Sequence, residues 1–179
     1  MNAQSIFQYW FKELAPEQWF VKSRWLDDQM RDRFGEIHEA AARGELTHWR
    51  DTMQNRLAEV LLLDQFSRNI HRDTAKAFAQ DALALDLAKA AIATGQDRDL
   101  PVEQRTFLYM PFMHSEDPAE HVRAVELFSG PGFETQLNFE LKHKAIIDRF
   151  GRYPHRNVFL GRDTTPEELE FLKGPDSSF

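Results

Sequence analysis

The stretch LLLDQFSRNIHRD, residues 61–73, passes from an apolar run into a dense set of charged and amide side chains. Asp64, Arg68 and Arg72 recur at intervals of four residues, which aligns them along one face of a helix. An acid four residues before an arginine is in the favourable orientation for an ion pair, and a buried charge is costly unless it is paired. The pattern therefore leaves three hypotheses. Asp64 and Arg68 form a structural ion pair, or Arg68 and Arg72 face a cleft in which Asp64 orients one of them, or this end of the helix is simply solvated.

Two amide side chains, Gln65 and Asn69, repeat the same spacing and predict a second pair beside the first. Upstream of them, Leu57 and the run Val60 to Leu63 cover all sides of the helix. A helix that is apolar all round is buried, so we expect this one to be central.

A second polar cluster lies in FMHSEDPAEH, residues 112–121. Its His114, Glu116, Asp117 and His121 side chains carry nitrogen and oxygen atoms of the kind that bind metals, but their spacing matches no zinc signature. Asp117 also precedes Pro118 and is placed to cap a helix. We therefore predict no metal site, and His114 is expected to be a half-buried, hydrogen-bonded histidine.

The third cluster is basic. Between residues 142 and 162 the sequence has six cationic residues and a single acidic one, Asp148. The cations are Lys142, Lys144, Arg149, Arg152, Arg156 and Arg162. Within this segment Arg152, His155, Arg156 and Asn157 form a turn that Pro154 stiffens. Arginine forks match carboxylate and phosphate oxygens, so this turn is a candidate anion site. Alternatively, its arginines satisfy helix carbonyls and nearby acids such as Asp64 or Glu116.

Composition limits the class of function. The net charge of −7 argues against a general nucleic-acid binder, which needs a basic face, and the absence of cysteine excludes a thiol nucleophile or a Cys zinc site. We find no signal peptide, and no apolar run approaches the roughly 20 residues of a membrane helix. We therefore predict a cytoplasmic protein that does not associate with a membrane and does not bind a cofactor. The sequence does not indicate an oligomeric state.

Helical periodicity dominates the chain, and strand patterns are nearly absent. We predict a single all-α domain over residues 1–179, with about seven or eight helices joined by short links, whose antiparallel pairs could stack as a superhelix. The tryptophans and most of the fifteen phenylalanines are expected in the core, including Trp25 and Phe139. The predicted helices cover residues 4–14, 23–42, 52–71, 74–94, 101–113, 118–128, 133–150 and 166–173, with a helical turn at 16–20 and an irregular segment at 152–163.

Five stretches resemble a bacterial family called domain of unknown function 924. They are FQYWF (7–11), PEQWF (16–20), LLLDQFSRNIHRDTAKAFAQD (61–81), LYMPFMHSED (108–117) and IIDRFGRYPHRNVFLGRDTTPEELEFL (146–172). The resemblance implies an all-helical fold similar to the tetratricopeptide-repeat superhelix and no established activity. The family pattern has Gly where Lys12 stands here, and Pro where Ser67 stands. Because Pro removes a backbone hydrogen bond, Ser67 predicts a more regular helix in this chain.

Taken together, these patterns favour a binding module for a small anionic ligand or a peptide. The candidate ligand-binding residues are Asp64, Arg68, Asn69, Arg72, His114, Glu116, Arg152, His155, Arg156 and Asn157. We expect the HSED turn and the PHRN loop to converge on the helix that carries Arg68.

Two alternatives remain open. In the first, an enzyme uses Asp64 or Glu116 with a histidine to transfer protons on a small polar anion that the arginines hold. In the second, the polar set is internal scaffolding, and function lies on an aromatic surface. The sequence assigns no catalytic residue.

Overall fold

The computed structural model describes residues 1–178, which form helices and turns without a β-strand, so the all-α prediction is confirmed. Short 3₁₀ and π-helical segments join the α-helices. The α-helices are α1 (Ala3–Gln8), α2 (Arg24–Ala42), α3 (Met53–Leu61), α4 (Ser67–Ile70), α5 (Asp81–Ile92), α6 (Val102–Met113), α7 (Pro118–Phe128), α8 (Glu134–Phe150), α9 (Asn157–Leu160) and α10 (Pro166–Phe171).

The chain divides into two compact units. The first comprises Met1–Arg72 and Lys76–Pro111, and the second comprises Asp73–Ala75 and Phe112–Phe179. In the first unit α3 packs against α1 and α5, and α2 packs against α4; in the second unit α7 packs against α8. The single-domain and superhelical predictions concern both units together and stay predictions.

Aromatic side chains fill the core of the first unit. Phe66, which is fully buried, lies with its ring centre 5.5 Å from that of Trp10 and 5.3 Å from that of Phe34. The apolar residues of α3 are buried on all sides, as the sequence predicted for a central helix. The second unit has a smaller core, in which Ile146, Ile147 and Tyr153 pack with Phe150 and Phe171.

The helix that carries the polar stretch is not regular. Residues Leu62–Phe66 form a π-helical segment between α3 and α4, so the prediction of a more regular helix at Ser67 was wrong. Ser67 has φ −54°, a value that suits proline, and its Oγ donates to the carbonyl oxygen of Leu63 at 2.6 Å. The wider turn therefore does not need proline, because the Ser67 hydroxyl satisfies the Leu63 carbonyl. A second π-helical segment, Tyr9–Glu13, contains the other departure from the family pattern, Lys12.

Helix boundaries follow the capping signals in the sequence. The side chains of Ser23, Asp117 and Thr165 accept backbone N–H bonds at the starts of α2, α7 and α10. Gly44 and Gly151 have φ of +73° and +66° just beyond α2 and α8, a conformation that glycine adopts without strain.

The prediction of an alanine-rich helix over residues 74–94 was wrong in its first third. Residues Ala75–Phe78 form a 3₁₀ turn, and α5 begins at Asp81. Helix propensity, even that of alanine, is a weak predictor that tertiary contacts override. Here the Asp81 carboxylate, which lies in the first turn of α5, binds Arg68. This tertiary contact coincides with the start of the helix.

Two aromatic residues expected in the core are exposed. Trp25 exposes 67% of its surface and Phe139 exposes 43%. Within residues 1–178, no helix is both long enough and apolar enough to cross a membrane.

Candidate functional site

Arg68 lies between two carboxylates of the first unit. Its Nη1 is 3.2 Å from Oδ1 of Asp64, the ion pair predicted from the spacing of four, and also donates to the Asp64 carbonyl oxygen at 2.9 Å. The guanidinium further binds both oxygens of Asp81 at 2.9 and 3.0 Å. Asp64 is fully buried, and Arg68 is partly buried. The Asp64–Arg68 pair is thus part of a larger network whose third member the local pattern could not identify.

Arg72 and Asn69 share another carboxylate, that of Asp27 in α2. The Nε and Nη2 atoms of Arg72 lie 2.5 and 2.7 Å from the Asp27 oxygens, and the Asn69 amide donates at 3.0 Å. Asn69 is therefore bound to Asp27 and not to Gln65, whose amide donates to Asp64 at 2.6 Å. The predicted Gln65–Asn69 pair was wrong. A buried carboxylate such as Asp27 without hydrogen-bond donors costs more free energy than the loss of a bond between two amides.

In the second unit, Glu116 accepts three bonds. Arg162 donates to its two oxygens at 2.7 and 3.0 Å, and the Tyr153 amide donates at 2.8 Å. Burial raises the pKa of Glu116, but the Arg162 and Tyr153 bonds and the Arg156 charge outweigh burial, so the pKa lies below its ordinary value. Glu116 is therefore a carboxylate that joins the HSED turn to the segment after α8.

Arg152 and Asn157 bind a second carboxylate of this unit, that of Glu168. Arg152 donates to both Glu168 oxygens at 2.7 and 2.8 Å, and Asn157 donates to one of them at 3.3 Å. The Arg152 bonds hold the pKa of Glu168 at about 2. Glu168 also closes the capping box of α10. Two of the candidate residues thus fasten α10 to the PHRN loop.

Histidines surround the buried ring of Tyr153. The ring centres of His155, His143 and His121 lie 5.6, 5.7 and 6.2 Å from that of Tyr153. The guanidinium carbon of Arg156 lies 4.5 Å from the same ring centre, and Nη2 of Arg156 donates to the His114 carbonyl oxygen at 3.0 Å. His114 and His155 are half-buried, as predicted for His114. The predicted candidates His155 and Arg156 therefore lie against the same ring, and Arg156 binds the backbone of a third candidate, His114.

His121 is fully buried, and its two ring nitrogens have protein partners. Nδ1 lies 2.8 Å from Oε1 of Glu140, and Nε2 lies 2.8 Å from the Ser115 carbonyl oxygen. Because a carbonyl oxygen only accepts, Nε2 carries a hydrogen, and one more proton lies between Nδ1 and the carboxyl group. Burial raises the pKa of Glu140. Sequence reasoning missed Glu140, since nothing in the pattern of α8 distinguishes it from a solvated acid.

His143 is neutral in this environment. Burial is the main cause that lowers the pKa of His143 to about 3, and the nearby charges of His114, His121 and Arg156 contribute to this lowering. The Arg156 guanidinium places a positive charge next to the Tyr153 ring, and the Glu116 carboxylate binds the Tyr153 amide.

Partners of another kind bind three of the four residues suggested as metal ligands. Glu116 binds Arg162, His121 binds Glu140, and Asp117 caps α7 through the Ala119 amide. Across residues 1–178, no group of three or more histidine and acidic side chains could hold a metal.

The ten candidate residues thus fall into two sets. Asp64, Arg68, Asn69 and Arg72 lie together in the first unit, whereas the other six lie together in the second. The convergence of Arg68 with His114 and His155 stays a prediction.

The comparisons with known proteins agree with the fold. The solved structure of the protein of unknown function ATU0120 from Agrobacterium tumefaciens is similar with a TM-score of 0.91 and 43% sequence identity. The similarity covers 96% of this chain and 97% of that one. No curated protein matches.

A family model described as a bacterial protein of unknown function (DUF924) matches residues 6–176. The match covers the stretches that first suggested this family and both polar sets. The chain therefore belongs to the bacterial DUF924 family.

Proposed function

We propose that this protein binds a small anionic ligand, or the acidic group of a peptide, through His114, His155 and Arg156 of the second unit. The observation that carries the proposal is that the His155 ring and the Arg156 guanidinium both lie next to Tyr153, while Arg156 also binds the His114 carbonyl oxygen. Histidine and arginine side chains supply the charge and the N–H donors that carboxylates and phosphates need.

The stack on Tyr153 supports the role of Arg156. A guanidinium that lies over an aromatic ring is held by the ring face, while its N–H groups point outward in the guanidinium plane. One of these groups donates to the His114 carbonyl oxygen. This stacking reduces the rotamer freedom that Arg156 would lose on binding a ligand.

Arg152 and Arg162 are poorer ligand-binding candidates. Each makes two bonds to an internal carboxylate, that of Glu168 or Glu116. A ligand anion at either arginine would have to displace this carboxylate, which would then need other donors. We therefore assign them the task of shaping the loop that carries Arg156.

We infer a structural role for the polar set of the first unit. Both Arg68 and Arg72 hold carboxylates by two bonds, and Asp27 and Asp64 are buried. This is the scaffolding hypothesis, applied to one of the two sets. The enzyme hypothesis has less support, because the pair best suited to proton transfer, His121 with Glu140, is fully buried.

The proposal is tested by thermal-shift and calorimetric titration of the purified protein with inorganic phosphate, citrate and N-acetylglutamate. A ligand at 100 times its dissociation constant stabilises by about 2.7 kcal/mol, which is readily measured. We expect at least one of these anions to bind the wild type. His155→Gln and Arg156→Gln should weaken binding by about tenfold or more, as expected for the loss of a charged hydrogen bond.

Lys173→Gln is the matched control, because Lys173 is an exposed cation of the same unit. Equal binding by all four proteins, or binding of none of the three anions by the wild type, contradicts the proposal.

A further inference from the structure

We propose that the segment from Phe20 to Trp25 on the first unit is a docking surface for an acidic protein segment that carries apolar side chains. We call this surface the basic-aromatic patch, and its members are Phe20, Val21, Lys22, Arg24 and Trp25. It contains none of the candidate anion-site residues, so this proposal is independent of the function proposed above.

Three large apolar side chains of the patch are exposed. Phe20, Val21 and Trp25 expose 65, 51 and 67% of their surfaces within six residues of the chain. Isolated exposed apolar residues are ordinary, but several exposed ones close together in the chain, with a tryptophan among them, favour an interaction surface. Among residues 1–178, Trp25 has no aromatic partner, although the periodicity of α2 predicted that it would be buried.

The patch is also held in place. Trp19, which precedes it, donates from Nε1 to the Trp10 carbonyl oxygen at 2.8 Å and lies against Phe107 with ring centres 5.1 Å apart. Phe20 stacks on the same Phe107 ring at 6.1 Å, which leaves its outer face exposed. At the other end, the Ser23 hydroxyl caps α2. A partner would therefore meet a preorganised surface and would lose little entropy in ordering it.

The charges of the patch identify its partner. Lys22 and Arg24 are exposed, and within the described residues neither forms an ion pair or a side-chain hydrogen bond. By contrast, neighbouring Arg31 and Arg33 bind Asp28 and Glu13. Two unpaired cations, flanked in the sequence by exposed aromatic residues, complement a segment with acidic and apolar side chains.

Other occupants fit less well. Recruitment to anionic lipids takes clusters of roughly four to eight cations, whereas this patch has two. A symmetric contact with a second copy would place cations against cations.

The test is selection of random dodecapeptides displayed on phage against the wild-type protein, with depletion on the triple variant Lys22→Glu, Arg24→Glu, Trp25→Ala. We expect the retained peptides to be enriched in Asp or Glu together with Leu, Phe or Trp. Synthetic copies should bind the wild type at least about tenfold more tightly than Trp25→Ala, as expected for an aromatic anchor residue.

The controls are Arg98→Glu and Val158→Ala, which alter an exposed cation and an exposed apolar residue elsewhere and should leave binding unchanged. An unchanged melting temperature for each variant shows that the fold is intact. Peptides that do not distinguish the wild type from the triple variant, or that lack acids, overturn the proposal. The proposal is also overturned if no acidic peptide is recovered and the wild type instead binds phosphatidylserine vesicles, or self-associates in sedimentation, in a way that the triple variant does not.

Discussion

The Oγ of Ser67 lies 2.7 Å from Nε2 of His38 and donates its own hydrogen to the Leu63 carbonyl oxygen at 2.6 Å. A hydroxyl has one hydrogen, so Nε2 of His38 is the donor to Ser67. The other ring nitrogen, Nδ1, is buried without a partner among residues 1–178. The histidine is thus held as one neutral tautomer against the π-helical segment.

This relationship predicts that Ser67 and His38 are coupled. Ser67→Ala should lower the free energy of unfolding by about 2 kcal/mol, since it leaves a buried imidazole N–H and a buried carbonyl without partners. His38→Phe in the same chain should recover part of the loss, because it removes the stranded donor. Urea unfolding of the two single variants and the double variant measures the coupling.

Ser129→Ala is the matched control. Ser129 makes the same kind of bond, from its hydroxyl to the Val125 carbonyl oxygen at 2.6 Å, but it is exposed. Its replacement should leave the unfolding midpoint nearly unchanged. Strictly additive effects of the Ser67 and His38 substitutions would contradict the coupling.

The pH dependence of stability gives a second prediction about His38. Burial, with a smaller contribution from the charge of His71, lowers the pKa of His38 to about 4. The unfolded state then binds the proton first, so stability falls as the pH drops from about 6.5 towards 4. His38→Gln keeps an amide donor for Ser67 but does not titrate. The variant should therefore lose less stability between pH 7.5 and pH 5 than the wild type does, by on the order of 2 kcal/mol.

Denaturant unfolding at pH 7.5, 6, 5 and 4.5 measures this difference. The pKa of His143 is also lowered by burial, to about 3, so His143 too reduces stability at low pH. Its effect is the same in the wild type and in His38→Gln and cancels in the difference between them. Parallel stability curves for the wild type and His38→Gln would show that His38 is not the titrating group.

Local features of the fold were predictable because short-range physics decides them. The Asp64–Arg68 pair follows from a spacing of four on a helix, and the caps by Asp117 and Thr165 follow from the residue types beside Pro118 and Pro166. The same reasoning could not locate the π-helical segment at Leu62–Phe66, because its backbone angles stay close to those of an α-helix.

The candidate site was predictable in its residue types but not in its pairings. Asp27 and Arg72 are 45 residues apart, and Glu116 and Arg162 are 46 apart. No periodicity connects residues at such separations, and only the folded chain selects one acid for each arginine. Trp25 was misplaced for a related reason, since a helical pattern specifies a face but not where a neighbouring element ends.

The structural role inferred for the first-unit set predicts that Arg72 matters for stability without any ligand. Arg72→Ala would leave the buried Asp27 carboxylate with the Asn69 amide as its remaining side-chain donor within the first unit. Breaking a buried pair in this way costs roughly 3 kcal/mol. Thermal unfolding of the ligand-free protein should therefore show a clear drop in melting temperature.

Arg43→Ala provides the comparison, because the Arg43–Glu45 pair is exposed on both sides and should contribute little. A normal melting temperature for Arg72→Ala, together with lost binding of phosphate or citrate, would instead make Arg72 a ligand-binding residue.

The Glu140 carboxyl group predicts a substitution that stabilises the protein. Glu140 is fully buried, and its Oε2 has no hydrogen-bond partner within the described residues. Because burial raises its pKa, its contribution to stability is present below about pH 4.5 and is lost as the pH rises through the folded-state value. Glu140→Gln keeps a partner for His121 Nδ1 and cannot ionise. It should therefore raise the free energy of unfolding at pH 7.5, and the gain should vanish towards pH 4.

Urea unfolding of Glu140→Gln between pH 4 and 8 distinguishes two states of the His121–Glu140 pair. A gain at high pH means that the neutral pair, with the proton on the carboxyl group, is the native form. A loss at high pH means that an imidazolium–carboxylate pair outweighs the cost of burial, because removal of one partner then strands the other charge. Glu126→Gln, at an exposed acid of α7, should show neither effect. The sign of the difference in unfolding free energy between Glu140→Gln and the wild type at high pH therefore shows whether the shared proton is bound to Glu140 or to His121.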